Sequence, residues 1–175
     1  LDLSFSKIER IIMDYIAASN DRVVVHQAIK HLIVSGNSLL FMGKDGLKNY
    51  PLNRFVVSRD GNGNVVEIVT KEIISKDLLR DVLDDYDPMR VAADDDREDD
   101  ECDVYTHVRV ENGRWVWHQE VHDKIIPGSR STAPKNASPW LPLRFVSVDS
   151  PTGEDYGRGR VEEFLGDLRS LNALS

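Results

Sequence analysis

The segment VYTHVRVENGRWVWHQEV, residues 104–121, constrains the fold more than any other part of the sequence. Asn112-Gly113 is the favoured pair for a two-residue type I′ turn, because both positions need positive φ. Such a turn sets the strand register, so facing residues sum to 225. One face then holds Val104, Val108, Val110, Trp115, Trp117 and Val121, and an apolar face of this size must pack on something. The opposite face sets His107 against His118, Tyr105 against Glu120 and Arg109 against Val116.

Around this hairpin the pattern alternates between helix and strand periods. SKIE, from Ser6, reads as a capping box, and Ile8, Ile11, Ile12, Tyr15 and Ile16 recur at helical spacing, so a first helix is expected over Lys7–Ala18. Asn20 or Asp21 caps a second helix with Val24, Ala28, Leu32 and Ile33 inward and Gly36 at its end. His26 and His31 on that helix read as polar-face or half-buried side chains. SLLFM and a KDG turn follow. NRFVVSRDGNGNVVEIVTKE reads as a second hairpin whose loop length leaves the register open. SKDLLRDVLDDYD, from Ser75, is expected to be a third helix stopped by Pro88. GSRSTAPKNASP is a loop by composition, and WLPLRFVSV, with its proline, is an expected edge strand. A final helix closes the sequence. Strands joined by hairpins among several helices give an α+β class with antiparallel sheet.

The net charge of −8 is unevenly spread: residues 84–103 carry −9 and the remainder +1. That segment reads as a solvated loop. Its acids lack the glycine turn and carbonyl ligands of a calcium site. DGNGN, from Asp60, begins like an EF-hand loop but has Val65 where glycine and Lys71 where glutamate belong. Nothing apolar is long enough to span a membrane, and no secretory leader is expected. The opening residue is Leu1 rather than Met, so a piece of a longer chain is expected.

The chemistry-bearing candidates are few. His107 and His118 face each other, with Glu120 diagonal to them, which would suit a metal-dependent hydrolase. A site needs three or four convergent ligands, however, and His122 belongs to the other face, so the pair is expected to lie on a solvated sheet face without metal. Cys102 sits among acids that disfavour its thiolate. A freestanding module that binds a peptide on the tryptophan face is a further alternative. No catalytic residue, metal or cofactor is expected.

GEDYGRGRVEEFLGDLRSL, residues 153–171, tests a phosphate cradle. Its glycine spacing fails the P-loop, and Glu162 stands where a dinucleotide fingerprint needs its third glycine. Glu162 and Glu163 suit the positive end of a helix but repel phosphate. What remains is a helix start with an apolar stripe of Val161, Phe164, Leu165, Leu168 and Leu171, a candidate oligomer contact. Arg158, Arg160 and Arg169 are candidate subunit or DNA contacts.

Four strings together, VVVHQAIKHLIVSGNSLLF, YPLNRFVVSRDGNGNVVEIVTKE, SPWLPLRFV and GEDYGRGRVEEFLGDLRSLN, resemble the head-to-tail connector, or portal, proteins of short-tailed phages. The resemblance implies a structural subunit of a homo-oligomeric ring, typically of twelve, at one capsid vertex. Double-stranded DNA would pass through its channel during packaging and ejection. It implies a virion location, with host cytoplasm during assembly. Capsid and scaffolding proteins would be partners, and the packaging motor and tail adaptor would dock on regions beyond Ser175; no membrane is involved. Residues 1–150 would then form a wing-like α+β domain with an acidic loop at about 87–103. Residues 151–175 would form a turn and the beginning of a stem helix. If the acidic segment faces the channel, it would let a polyanion slide rather than hold it.

Overall fold

A computed structural model describes residues 2–44, 46–75, 101–146 and 154–174. These fall into two compact units: residues 1–53 with 139–175, and residues 54–138.

In the first unit, α1 spans Asp2–Ala18 and α2 spans Asp21–Ser35. The helix already runs through Ser6, which corrects the expected start at a capping box. Nothing in DLSF is a helix breaker, so the helix extends backward over it. Asn20 does occupy the N-cap of α2, but with φ −83° and ψ 5° its side chain makes no capping bond. That backbone geometry is not the extended one from which a cap side chain reaches the next amides. Asp21 instead ties the helix start to the sheet, its Oδ1 accepting the Leu47 N–H at 2.9 Å. Gly36 ends α2 at φ 74°, donating its N–H to Leu32 O. Only glycine enters that left-handed cap without a Cβ penalty. Ala28 is buried between half-buried Val24 and Leu32, a narrow stripe at four-residue spacing. Ile33 lies one residue off that stripe and is 47% exposed, against the expectation that it turns inward.

Three antiparallel strands complete this unit: β1 (Asn37–Gly43), β2 (Gly46–Tyr50) and β9 (Trp140–Arg144), in the order β2-β1-β9. Strand β9 is an edge strand as expected, with Pro142 opposite Leu39. Leu39 and Leu40 are buried, and Trp140 packs against Phe41 at 4.3 Å between ring centroids.

The second unit is a sheet ordered β3-β4-β5-β6-β7, with β8 also on β6. Its strands are β3 (Phe55–Arg59), β4 (Val65–Ser75), β5 (Glu101–Glu111), β6 (Arg114–Val121), β7 (Lys124–Ile125) and β8 (Ser131–Pro134). The β5–β6 register runs as expected, from Tyr105 opposite Glu120 to Glu111 opposite Arg114. Asn112 at φ 49° and Gly113 at φ 73° make the turn. Val104, Val108, Trp115 and Val121 are buried, and Val110 and Trp117 half-buried. In the β3–β4 loop, Asp60 does the work that the calcium motif would have assigned to a cation. Its Oδ1 accepts the N–H groups of Asn62 and Asn64 at 2.9 and 2.8 Å, and its Oδ2 accepts Asn64 Nδ2 at 2.9 Å.

Three local readings are corrected here. Ser75 ends β4 rather than starting a helix; the rest of SKDLLRDVLDDYD lies outside the described residues. The expected acidic loop does not reach 103, because residues 101–103 already belong to β5, where Cys102, Val104 and Thr106 alternate into the core. Asp103 is held by Lys71 at 2.6 Å. GSRSTAPKNASP is not all loop: Ser131–Pro134 pairs with Arg114–Trp117, and Lys135–Ala137 is a 3-10 turn. This pairing gives β6 a further neighbour, beside β5 and β7, that composition does not reveal.

Candidate functional site: the glycine–arginine turn and the final helix

The turn from Glu154 to Arg160 is seated on the corner where α2 passes into β1. Asn37 grips Gly157 on both sides: its Nδ2 donates to Gly157 O at 2.8 Å, and its Oδ1 accepts the Gly157 N–H at 2.7 Å. Both bonds are buried. The glycines permit the contact. A Cβ on Gly157 would stand 2.3 Å from Phe145 O, and one on Gly159 would stand 2.0 Å from Val34 O. From the other side, a Cβ on Gly36 would meet the carbonyl carbon of Arg158 at 2.3 Å. Two backbones therefore touch where side chains would forbid it. Phe145 completes the corner by donating its N–H to Gly36 O at 2.9 Å. The sequence reading identified this turn but not its receptor, Gly36-Asn37, more than a hundred residues away. The only local signal was Gly36 as a helix stop.

The three candidate arginines stand apart from that buried seat. Arg158 is exposed and bonded to Glu154 at 3.1 Å, and Arg160 is exposed and bonded to Glu163 at 2.7 Å. Arg169 is exposed, and no ion pair holds it among the described residues. Glu162 and Glu163 occupy the first turn of α3 (Arg160–Glu163). The helix is interrupted at Phe164, whose φ of −101° and ψ of 12° leave helical geometry, and resumes as α4 (Leu165–Leu174). Hydrogen bonds cross the break, from Phe164 N–H to Arg160 O and from Leu168 N–H to Phe164 O. Val161, Phe164, Leu165, Leu168 and Leu171 are all exposed, Leu171 to 64%. Helix α1 likewise exposes Phe5, Ile8, Ile11, Ile12 and Met13.

In the second unit, β5 and β6 bring His107 and His118 together with ring centroids 5.4 Å apart. His118 Nε2 lies 2.6 Å from Glu120 Oε1, and His107 Nε2 is hydrogen-bonded to Glu67 Oε1. Donor atoms of His107, His118 and Glu120 all lie within 4.8 Å of one another. His118 is only 8% exposed, so the expected solvated face is corrected there: β6 is flanked by β5 on one side and by β7 and β8 on the other. Glu67 was missed because only the β4–β5 register brings it to this face. His122, at φ 47°, sits in the β6–β7 turn with Asp123. Cys102 is buried with Val104, Val121 and Ile126, and its thiol donates to Ile74 O at 3.6 Å. Among the described helices none is long and apolar enough to cross a membrane.

The first and final helices of this α+β chain expose apolar side chains at helical spacing, surfaces suited to packing against a further segment or subunit. Residues 2–175 match the bacteriophage head to tail connecting protein family, and the chain belongs to it. It is 40% identical to the portal protein of Enterobacteria phage T3 and 38% identical to that of Escherichia phage T7, in each case over 99% of this chain. Identity to the portal protein of Enterobacteria phage SP6 is 30% over 98% of the chain. The chain spans 33% of the length of each of these relatives.

Proposed function

We propose that this chain is part of a structural, non-enzymatic subunit of a phage portal ring, joining head to tail and lining part of a conduit for double-stranded DNA. The observation that carries this reading is the family match over residues 2–175, with portal proteins 38–40% identical along the same stretch. On this reading residues 1–150 form the wing-like part, and 151–175 form the turn and the beginning of the stem helix. The ring, of twelve subunits, occupies the capsid vertex, assembles in the host cytoplasm with capsid and scaffolding proteins, and meets the packaging motor and tail adaptor elsewhere in the subunit. The stripe of Val161, Phe164, Leu165, Leu168 and Leu171 is a subunit contact. Arg158, Arg160 and Arg169 face a neighbouring subunit or DNA. Negative-stain imaging of the full-length protein tests the proposal: closed rings are expected, and well-folded protein without rings would refute it.

A further inference from the structure

We infer that His107, His118 and Glu120 bind one divalent transition-metal ion, with zinc preferred. The cluster combines two imidazoles and a carboxylate, the mixed nitrogen and oxygen donor set that zinc takes, whereas calcium and magnesium select oxygen alone. Three features beyond the residue types support the assignment. The two rings come from directly facing positions of adjacent strands, so the sheet itself holds the donors together. Their ligand atoms and that of Glu120 lie within 4.8 Å of one another. A tetrahedral zinc site spaces its donors by about 3.4 Å, so side-chain rotations of roughly 1 Å suffice: they draw the wider pairs in and part His118 Nε2 from Glu120 Oε1, which now lie 2.6 Å apart. Finally, His118 is nearly buried, which favours a fixed ligand over a mobile surface ring.

Charge points the same way. With neutral rings, Glu67 and Glu120 leave two negative charges on this patch. Two neighbouring bases are engaged elsewhere: Arg109 is bonded to Glu111 at 2.6 Å and Lys71 to Asp103 at 2.6 Å. A divalent cation balances the two carboxylates. Glu67, already hydrogen-bonded to His107, is placed as the outer carboxylate that orients a ligating imidazole. The ion would clip β5 to β6, and Glu67 would extend the clip to β4. This is a structural role, and it stands independently of the portal reading.

The test is metal binding by tag-free, full-length protein stripped with a chelator and titrated with cobalt(II), then with zinc(II). One equivalent of cobalt per chain is expected, with the intense visible absorption of tetrahedral coordination, displaced by zinc. Zinc should also raise the melting temperature. His107→Gln and His118→Gln should each abolish the cobalt spectrum, and Glu67→Gln should weaken binding by roughly tenfold or more. Glu120→Gln preserves side-chain size, so it should weaken zinc binding even where a histidine variant folds poorly. Absence of stoichiometric cobalt or zinc binding by folded protein would overturn the inference. So would binding that persists in a folded His107→Gln/His118→Gln double variant.

Discussion

Replacing Gly159 with alanine isolates the close approach that seats the turn. Gly159 has φ −77° and ψ 156°, an extended conformation open to any residue, so the substitution introduces no backbone strain. Its cost is steric. The new Cβ would meet Val34 O at 2.0 Å, Val34 C at 2.5 Å and Gly36 N at 2.9 Å. All three are backbone atoms of α2 and its cap, and none can rotate aside. Either the turn shifts outward by about 1 Å, at the ~1–3 kcal/mol typical of overpacking, or it leaves its seat. Leaving forfeits the paired bonds between Asn37 and Gly157 at 2.7 and 2.8 Å. Those bonds contribute about 1 kcal/mol each, and any partner left buried and unsatisfied adds ~1–3 kcal/mol. The cheaper route sets the expected destabilisation, about 1–3 kcal/mol, confined to the corner. Hydrogen exchange reads it locally: exchange at the Gly157 amide should accelerate by at least ~5-fold. Asn37→Ala should add little in the Gly159→Ala background, since both changes release the same contact. Gly166→Ala is the control, because a Cβ there meets nothing within 4 Å. Exchange in Gly159→Ala within about threefold of the parent would refute the reasoning.

The remaining predictions concern the loop, the hairpin and the final helix. Asp60 is held below the usual carboxylate range, first by the side-chain bond from Asn64 and then by the Asn64 backbone N–H. Its contribution to the loop is therefore present above the ordinary value of 3.8 and lost as pH falls through the lower folded value. NMR titration should show the Asp60 pKa returning toward that ordinary value in Asn64→Ala, and an unchanged titration would contradict this. Gly113→Ala meets no steric obstacle but keeps φ at 73°, so it should cost ~1–2 kcal/mol of hairpin stability by denaturant titration. Leu168→Glu, at an exposed stripe position, should leave exchange in the β5–β6 hairpin unchanged while preventing ring closure in electron micrographs of the full-length protein; rings at parental yield would remove the stripe from the subunit contact.

Legibility followed how local the determinant was. Asn112-Gly113 needs positive φ at two adjacent positions, so a dipeptide specified a complete register. Gly36 worked the same way as a helix stop. Ser6 misled because a capping box is permissive: it can start a helix, but it cannot stop one from extending backward through residues that favour helix. Ser131–Pro134 was hidden because four polar or small residues have no period; their pairing with β6 is a tertiary choice. The same holds for Glu67. Its place beside His107 follows from the β4–β5 register, and between those strands the sequence carries no short turn that would specify it. The seat of the glycine turn was the least legible feature, because its two halves are joined only by the fold.

That seat also changes what the arginines can do. Gly157 packs against the backbone of Phe145 and Gly36 with its amide bonded to Asn37, and Gly159 packs against Val34, so the two glycines are closed off by backbone rather than open around a phosphate. Arg158 and Arg160 flank the buried glycine with their guanidinium groups outward, each already bonded to a carboxylate within four residues. Exposed pairs of this kind are weak, so either arginine can exchange its partner for a neighbouring subunit's acid at little cost. Holding DNA is a different requirement. Each phosphate contact must outweigh the nearby Glu154, Glu162 and Glu163, whose charges repel the backbone at the same place. The turn is seated through neutral hydrogen bonds that salt does not screen, while its charged rim stays outward and weakly paired.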